Sequence, residues 1–301
     1  MSAPAAGWEA QREGSTLFLM RLVAGIARHL GRRVVGLVML PTVAWFLLTA
    51  KAARGYSRDY LRRVLGRAPR LLDVARHFHS FAVCGSDRVV VLAGATRGLH
   101  VEVRRTPAVE QWTQAGRGCL LLLAHIGSFE VLRAPGALQR RLPLRMVMDR
   151  EHSRMLSSLL AELRPELVPM IIDADERGPG LVLRIKDALD AGHIVCVMAD
   201  RARGSEPTVE VDLLGAPARL PAAPWIMAGA LGVPVMLGIA LYRGGGRYEA
   251  FIEDIAERVV LQRPDRMASA RQYAQAYAAR LEQHLRDAPY NWFNFYDFWK
   301  R

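Results

Sequence analysis

The chain has 301 residues, 51% hydrophobic and 23% charged, with a net charge of +12. That balance excludes a disordered polymer and a multi-span membrane protein. Its three cysteines (Cys84, Cys119, Cys196) lack metal-ligand spacing and cannot all pair, which excludes a disulfide scaffold and a structural zinc site and points to a reducing compartment.

The N-terminal stretch carries most of the charge. Residues 1–70 hold twelve basic and three acidic side chains, so +9 of the +12 lies there. Residues 16–30 read as an amphipathic helix, with Arg21 and Arg28 seven apart on one face. Val34 to Ala50 is a run of seventeen uncharged residues, just short of the roughly 20 needed to span a bilayer. Pro41 inside it is expected to kink the helix. Basic residues flank the run on both sides, so they give no orientation and no secretory-signal pattern. The expected arrangement is an anchor over residues 1–55, lying in or dipping into an anionic leaflet. A single span and a buried core helix are the alternatives. No helix-turn-helix, zinc finger or aromatic RNA-binding motif accompanies the charge, so nucleic acid is not the expected partner.

Residues 57–94 read as helical. Ser57 is placed as the cap of a helix over Arg58–Leu65, a second helix covers Leu71–Phe81, and Ser86-Asp87 caps a third through Val91. His77 and His79 face different ways on a helix and suit structural roles better than a ligand pair. From residue 116 the texture changes. Cys119–Ala124, Leu144–Met148, Val168–Ile172 and Ile194–Ala199 are short continuous apolar runs, as expected of strands buried on both faces. Helical patterns separate them: Phe129–Leu138, Ser153–Leu163 and Leu181–Ala191, the last stopped by Gly192. Then come a strand Val209–Leu214, a helix Pro224–Leu231, and strands Val233–Tyr242 and Tyr248–Ile255 that pair as a hairpin across residues 243–247. A long helix over Pro264–Arg286 precedes an aromatic tail. Alternating strand and helix predicts an α/β domain over residues 56–301, with a mostly parallel sheet flanked by helices.

Sites in open α/β sheets form at the carboxyl edges of strands. The first buried run ends at Ala124, and His125-Ile-Gly-Ser-Phe-Glu130 follows. His125 is placed at the strand exit, Gly127 permits a tight turn, and Glu130 falls in the first turn of the next helix. A carboxylate folded back onto the imidazole makes a general base with its orienter. Backbone N–H groups at that helix start are expected to hold a developing oxyanion. No Ser or Cys occupies a nucleophile elbow, so the base is expected to activate a substrate hydroxyl or a water. A strand-end histidine with a nearby glutamate in purely structural roles is the competing interpretation.

The segment His125-x4-Glu130 resembles the HX4(D/E) motif of glycerolipid and lysophospholipid acyltransferases. More narrowly it is similar to the lipid A late acyltransferases, the lauroyl/myristoyl acyltransferase family. Gly192–Arg201, Val211–Pro221, Trp225–Ala230 and Val233–Val235 resemble further blocks of that family, and the likeness extends over about residues 15–300. The resemblance implies a glycerolipid-acyltransferase-like fold at the cytoplasmic face of a bacterial inner membrane. It implies transfer of a fatty acyl group from a thioester on acyl carrier protein, or on coenzyme A, to a hydroxyl of a lipid or glycolipid. His125 would be the base and Glu130 its assistant, with no metal, cofactor or covalent acyl-enzyme. The expected substrate contacts are Gly127, Ser128, Arg150, Asp200 and Arg201. Arg150 stands one residue beyond the family's usual arginine, where this chain has Asp149, and Arg201 competes for that role. The tail Pro289–Trp299 resembles a divergent branch, which leaves the acceptor open between lipid A, another glycolipid and a pigment ester; its aromatics suit a bilayer interface or the closing of an acyl cavity. Two other functions compete: a thioesterase using Cys119 or Cys196, and a non-catalytic lipid-binding protein of the same fold.

Overall fold

The computed structural model describes residues 17–134, 143–148, 154–174, 179–202, 204 and 206–299. Its centre is strand β2 (Cys119–Gly127), whose apolar run is buried on both faces. Around it lie β1 (His100–Arg105), β3 (Leu144–Met148), β4 (Ile171–Asp173), β5 (Ile194–Met198), β8 (Val235–Gly244) and β9 (Arg247–Ala256). The described residues form one sheet of seven strands in the order β1-β9-β8-β2-β5-β3-β4. Every pairing is parallel except the hairpin β8–β9. A separate antiparallel pair, β6 (Thr208–Leu213) and β7 (Ala216–Pro221), lies against the long helix α9 (Arg266–Asp287), where Gln275 bonds both backbone groups of Asp212. The fold is thus a helix-flanked, mostly parallel α/β sheet.

Alternation along β2 sends its side chains into two cores. Leu120 and Leu122 pack with Tyr277 and Leu281 of α9. Leu121 and Leu123 pack with Cys84 and Val91 of α4 (Leu71–Leu92) and with Trp112 of α5 (Pro107–Gln114). Helices α6 (Arg154–Leu163), α7 (Pro179–Asp190) and α8 (Ala223–Leu231) complete the covering layers.

The N-terminal part is α1 (Leu17–Leu30), α2 (Arg32–Thr49) and α3 (Lys51–Leu65). Buried Val23, Ala24 and Ala27 of α1 and Val35 of α2 pack against Val89, Val90 and Leu92 of α4. A bidentate ion pair, Arg32 to Asp87 at 2.6 and 2.7 Å, fastens α2 to α4, and Tyr248 Oη donates to the same carboxylate at 2.6 Å. Only Val35 and Val43 of α2 are buried, so the core-helix alternative for this run fails. Trp45, Phe46 and Leu48 are exposed, Leu48 by 78%. Within the described residues α2 is the one helix long and apolar enough to cross a membrane.

Several elements differ from the sequence expectations. Helix α3 begins at Lys51, so Ser57 is an interior residue rather than a cap, and its buried hydroxyl bonds His77 Nδ1 at 2.8 Å. The two helices expected between Leu71 and Val91 are one, α4. Ser86 turns its hydroxyl back to the Val83 carbonyl, and Asp87 meets Arg32 rather than a helix start. Phe129–Arg133 is a short 3-10 helix, and the rest of the segment expected to be helical lies outside the described residues. β1, α5 and β7 were not expected. β1 alternates exposed His100, Glu102 and Arg104 with half-buried Val101, Val103 and Arg105 at the sheet edge, a pattern too short and too polar to carry the apolar signature of a buried strand.

Candidate active site

β2 runs past its expected end at Ala124 through His125 to Gly127. Its register with β8 slips between Leu123 and Gly127, since Leu123 pairs with Gly238 and Gly127 with Ala240. Such a bulge bends a strand and re-aims its side chains. Gly127 ends it with φ +60°, and a Cβ there would lie 1.8 Å from the Ala240 carbonyl oxygen. Only glycine fits.

The bulge brings the His125 imidazole to the end of the neighbouring strand β5. His125 Nδ1 lies 2.8 Å from Asp200 Oδ1, and the His125 backbone N–H donates to Oδ2 at 3.0 Å. Trp292 Nε1 donates to Oδ2 at 3.2 Å, and Arg201 stands 4.0 Å away. Asp200 has 0% exposure. Burial opposes its ionisation, but the charge and hydrogen bond of His125, Arg201 and the His125 backbone N–H outweigh it and hold the carboxyl well below the usual range. The ionised carboxylate fixes the proton on Nδ1, so Nε2 is the basic nitrogen. Nε2 has no hydrogen-bond partner among the described residues, and 36% of the side chain is accessible. Burial lowers the imidazole pKa, Asp200 opposes this, and Arg201 and Arg88 reinforce it; the net shift is downward. The ring is therefore neutral and able to take a proton near pH 7.

The structure does not join Glu130 to His125. The Glu130 carboxylate pairs with Arg88 of α4, Oε1 to Nη2 at 2.5 Å, and Ser128 Oγ lies 3.5 Å from Oε2. The acid that meets the imidazole is Asp200, expected from sequence as a substrate contact. The backbone donors expected to hold an oxyanion are also occupied in part. Gly127 N–H bonds the Asn291 carbonyl at 2.8 Å and Ser128 N–H the Ala240 carbonyl at 3.1 Å. Arg201 Nη2 donates to the Phe293 carbonyl at 2.7 Å, and its guanidinium lies over the Tyr296 ring, which ties the tail to the site. Arg150 lies outside the described residues.

The aromatic tail is the part of the site that sequence reasoning did not assign. Ile126 and Trp292 form an antiparallel bridge, and Phe293 N–H donates to the His125 carbonyl at 3.0 Å. Trp292 is fully buried, and its carbonyl accepts from His77 Nε2 at 2.7 Å. Asn291 braces both backbone groups of Tyr242. The tail pins residues 125–127 from outside the sheet, so for the buried Trp292 the interface reading gives way to a structural one. The one sequence signal was an alternation of aromatics and asparagines too polar for a free greasy end.

The cysteines do not join the site. Cys84, Cys119 and Cys196 are buried, and burial pushes the Cys119 thiol up to about 11. A thiol so placed is a poor nucleophile.

A strand-exit histidine paired with a buried aspartate, its free nitrogen open to solvent, suits proton abstraction from a hydroxyl. The family model for bacterial lipid A biosynthesis acyltransferases matches residues 74–301, which contain every part of this site. The chain belongs to that family. It is an acyltransferase of the lipid A biosynthesis type. No curated protein matches it.

Proposed function

We propose that this acyltransferase moves a fatty acyl group from an acyl carrier protein or coenzyme A thioester to a hydroxyl of lipid A or a related glycolipid. His125 is the general base and Asp200 its orienter. The reading rests on one observation: the 2.8 Å contact between His125 Nδ1 and a buried, ionised Asp200, which leaves Nε2 without a hydrogen-bond partner among the described residues. Nε2 takes the proton of the acceptor hydroxyl as its oxygen attacks the thioester carbonyl. A tetrahedral oxyanion forms and collapses, the C–S bond breaks, and the leaving thiolate recovers the proton from the imidazolium. Asp200 stabilises that imidazolium. The chain supplies both proton steps from its own side chains.

The acceptor lies in a membrane, and the exposed Trp45, Phe46 and Leu48 of α2 offer it an apolar contact. Lys51, Arg58 and Arg62 are exposed on the next helix, spaced to share one face beside that contact. This combination suits an anionic leaflet at the cytoplasmic side of the inner membrane. The same positive charge suits an acidic carrier protein.

The test is transfer from an acyl carrier protein thioester, labelled in its acyl chain, to underacylated lipid A in mixed micelles. His125→Ala is expected to lower turnover by at least ~10²-fold, whereas Cys119→Ser and Cys196→Ser keep it. Wild-type turnover in His125→Ala would falsify the mechanism.

A further inference from the structure

We propose that Trp292 is a positioning residue of the reaction: its indole N–H fixes the Asp200 carboxylate that orients His125, and a buried series of hydrogen bonds from Ser57 through His77 holds Trp292 in place. The inference rests on the reading of His125 as the base and Asp200 as its orienter, and adds what keeps that pair in register.

A carboxylate turns readily about its Cβ–Cγ bond, because a terminal sp³–sp² torsion has broad minima. One contact at Oδ1 does not fix its plane. Asp200 Oδ1 faces His125 Nδ1 at 2.8 Å, so the plane is set by what binds Oδ2. Two N–H groups do, the His125 backbone at 3.0 Å and Trp292 Nε1 at 3.2 Å. The first belongs to the base itself and moves with it. The indole comes from a separate segment and is the independent reference. A buried indole N–H ordinarily needs only some acceptor. Trp299 of the same tail gives its own to the Leu213 carbonyl at 3.3 Å. Trp292 gives its own to the carboxylate that acts on the base.

Trp292 is itself anchored. Its backbone bridges Ile126, next to the base, and its carbonyl accepts from His77 Nε2 at 2.7 Å. Tyr60 and Phe298 meet the indole in T-shaped contacts, with ring centroids 5.4 and 4.8 Å away. A carbonyl only accepts, so the His77 proton sits on Nε2, and Nδ1 accepts from the Ser57 hydroxyl at 2.8 Å. Burial pushes His77 down to about 4, which keeps this ring neutral and its tautomer single at pH 7. Ser57, His77, Trp292 and Asp200 are all fully buried, so bulk water does not replace any link. The series runs from α3 through α4 and the tail to the end of β5. It conducts no proton, because the Trp292 carbonyl accepts at one end and its indole donates at the other, with no exchangeable path between them. Its effect is geometric and electrostatic: the indole N–H holds the carboxylate plane and shares the charge on Oδ2.

The experiment replaces the Trp292 indole by benzothiophene, incorporated as the amino acid, which keeps the ring shape and lacks the N–H. Transfer from the labelled acyl carrier protein thioester to underacylated lipid A is measured with the full chain, in wild-type and Asp200→Asn backgrounds, beside His125→Ala. In the wild-type background kcat should fall about 10-fold, with KM within about twofold. In the Asp200→Asn background the same exchange should cost less than about threefold further, since the indole acts through Asp200. The pH profile gives a readout that a packing defect does not move. Without the indole donor, Asp200 directs more of its charge at the imidazolium and raises its pKa, so the acid limb of kcat/KM moves to higher pH. Arg201 beyond the end of β5, Arg88 on α4 with its partner Glu130, Tyr277 on α9 and Tyr296 in the tail also face the pair, and none of them changes in these variants. His77→Leu should lower kcat at least ~3-fold and move the limb the same way, and His77→Gln, which keeps an N–H for the carbonyl, should cost less. Should the benzothiophene variant lose its cooperative melt, the two His77 variants carry the test. Wild-type kcat in a folded variant lacking the N–H, an acid limb that stays or moves to lower pH, equal costs with and without Asp200, or equal rates of His77→Leu and His77→Gln overturns the inference. Turnover surviving in His125→Ala overturns the base itself, so the two failures are distinguishable.

Discussion

Substituting Asp200 by Asn tests the base most directly. Asp200 is fully buried and accepts from His125 Nδ1, the His125 backbone N–H and Trp292 Nε1 at 2.8, 3.0 and 3.2 Å. All three neighbours are donors. An asparagine supplies one acceptor oxygen and one NH₂ group, and that NH₂ finds no acceptor among them. The imidazole resolves the conflict by moving its proton from Nδ1 to Nε2, so that Nδ1 accepts. Nε2 is the atom that must take the substrate proton, and the change blocks it. The analogous exchange in serine-protease triads costs about 10⁴ in kcat by the same tautomer shift. A loss of about 10³ to 10⁴ is expected here, equivalent to about 4–5.5 kcal/mol of barrier at 1.36 kcal/mol per decade. KM should stay within about threefold, because Asp200 is sealed from the substrate. Single-turnover transfer of labelled acyl chain, resolved by thin-layer chromatography, measures it, with a thermal melt in detergent confirming the fold. A folded Asp200→Asn variant with one third or more of wild-type kcat refutes the tautomer argument.

Gly127→Ala places a Cβ against the Ala240 carbonyl in a backbone region that alanine avoids, so stability should drop by at least ~2 kcal/mol and transfer should collapse; an unchanged melting temperature and rate would count against the bulge. His77 titrates unusually: burial pushes it down to about 4, against 6.5 in the unfolded chain. The unfolded chain therefore binds the proton first as pH falls. Stability is full above about pH 6.5, drops by about 3 kcal/mol on the way to pH 4, and levels off below; the difference in unfolding free energy between wild type and His77→Gln, followed from pH 7.5 to 4, reads this out, and a flat difference contradicts it. Trp45→Glu combined with Leu48→Glu alters side chains exposed on α2, so the fold should persist while sedimentation with anionic phospholipid vesicles weakens at least ~10-fold. Undiminished pelleting would place the membrane contact elsewhere.

Local pattern made the architecture legible. Cys119–Ala124 and Ile194–Ala199 are continuous apolar runs because their strands are covered on both faces, and the β8–β9 hairpin follows from its glycine turn. β1 escaped notice because an edge strand with one face in solvent carries His, Glu and Arg at alternate positions. The two helices expected within α4 turned out to be one because Ser86 and Asp87, cap formers in isolation, are satisfied by Val83 and Arg32 without ending the helix. Ser57 was misread for the same reason, its hydroxyl being taken by His77 twenty residues away.

The site divides along the same line. His125 at a strand exit, Gly127 in the turn and the acidic end of β5 are set by neighbouring residues in the chain, and the sequence alone determined them. Which carboxylate meets the imidazole depends on strands 75 residues apart becoming neighbours, and spacing favoured Glu130 only because it is near in sequence. The tertiary structure decided for Asp200, because parallel pairing of β2 and β5 puts their carboxyl ends side by side while α4 offers Arg88 to Glu130. It likewise decided that Trp292 and Phe293 brace the active strand. Hydrogen bonds between distant segments form only where the packed core leaves them adjacent, and no local pattern in the chain encodes that adjacency.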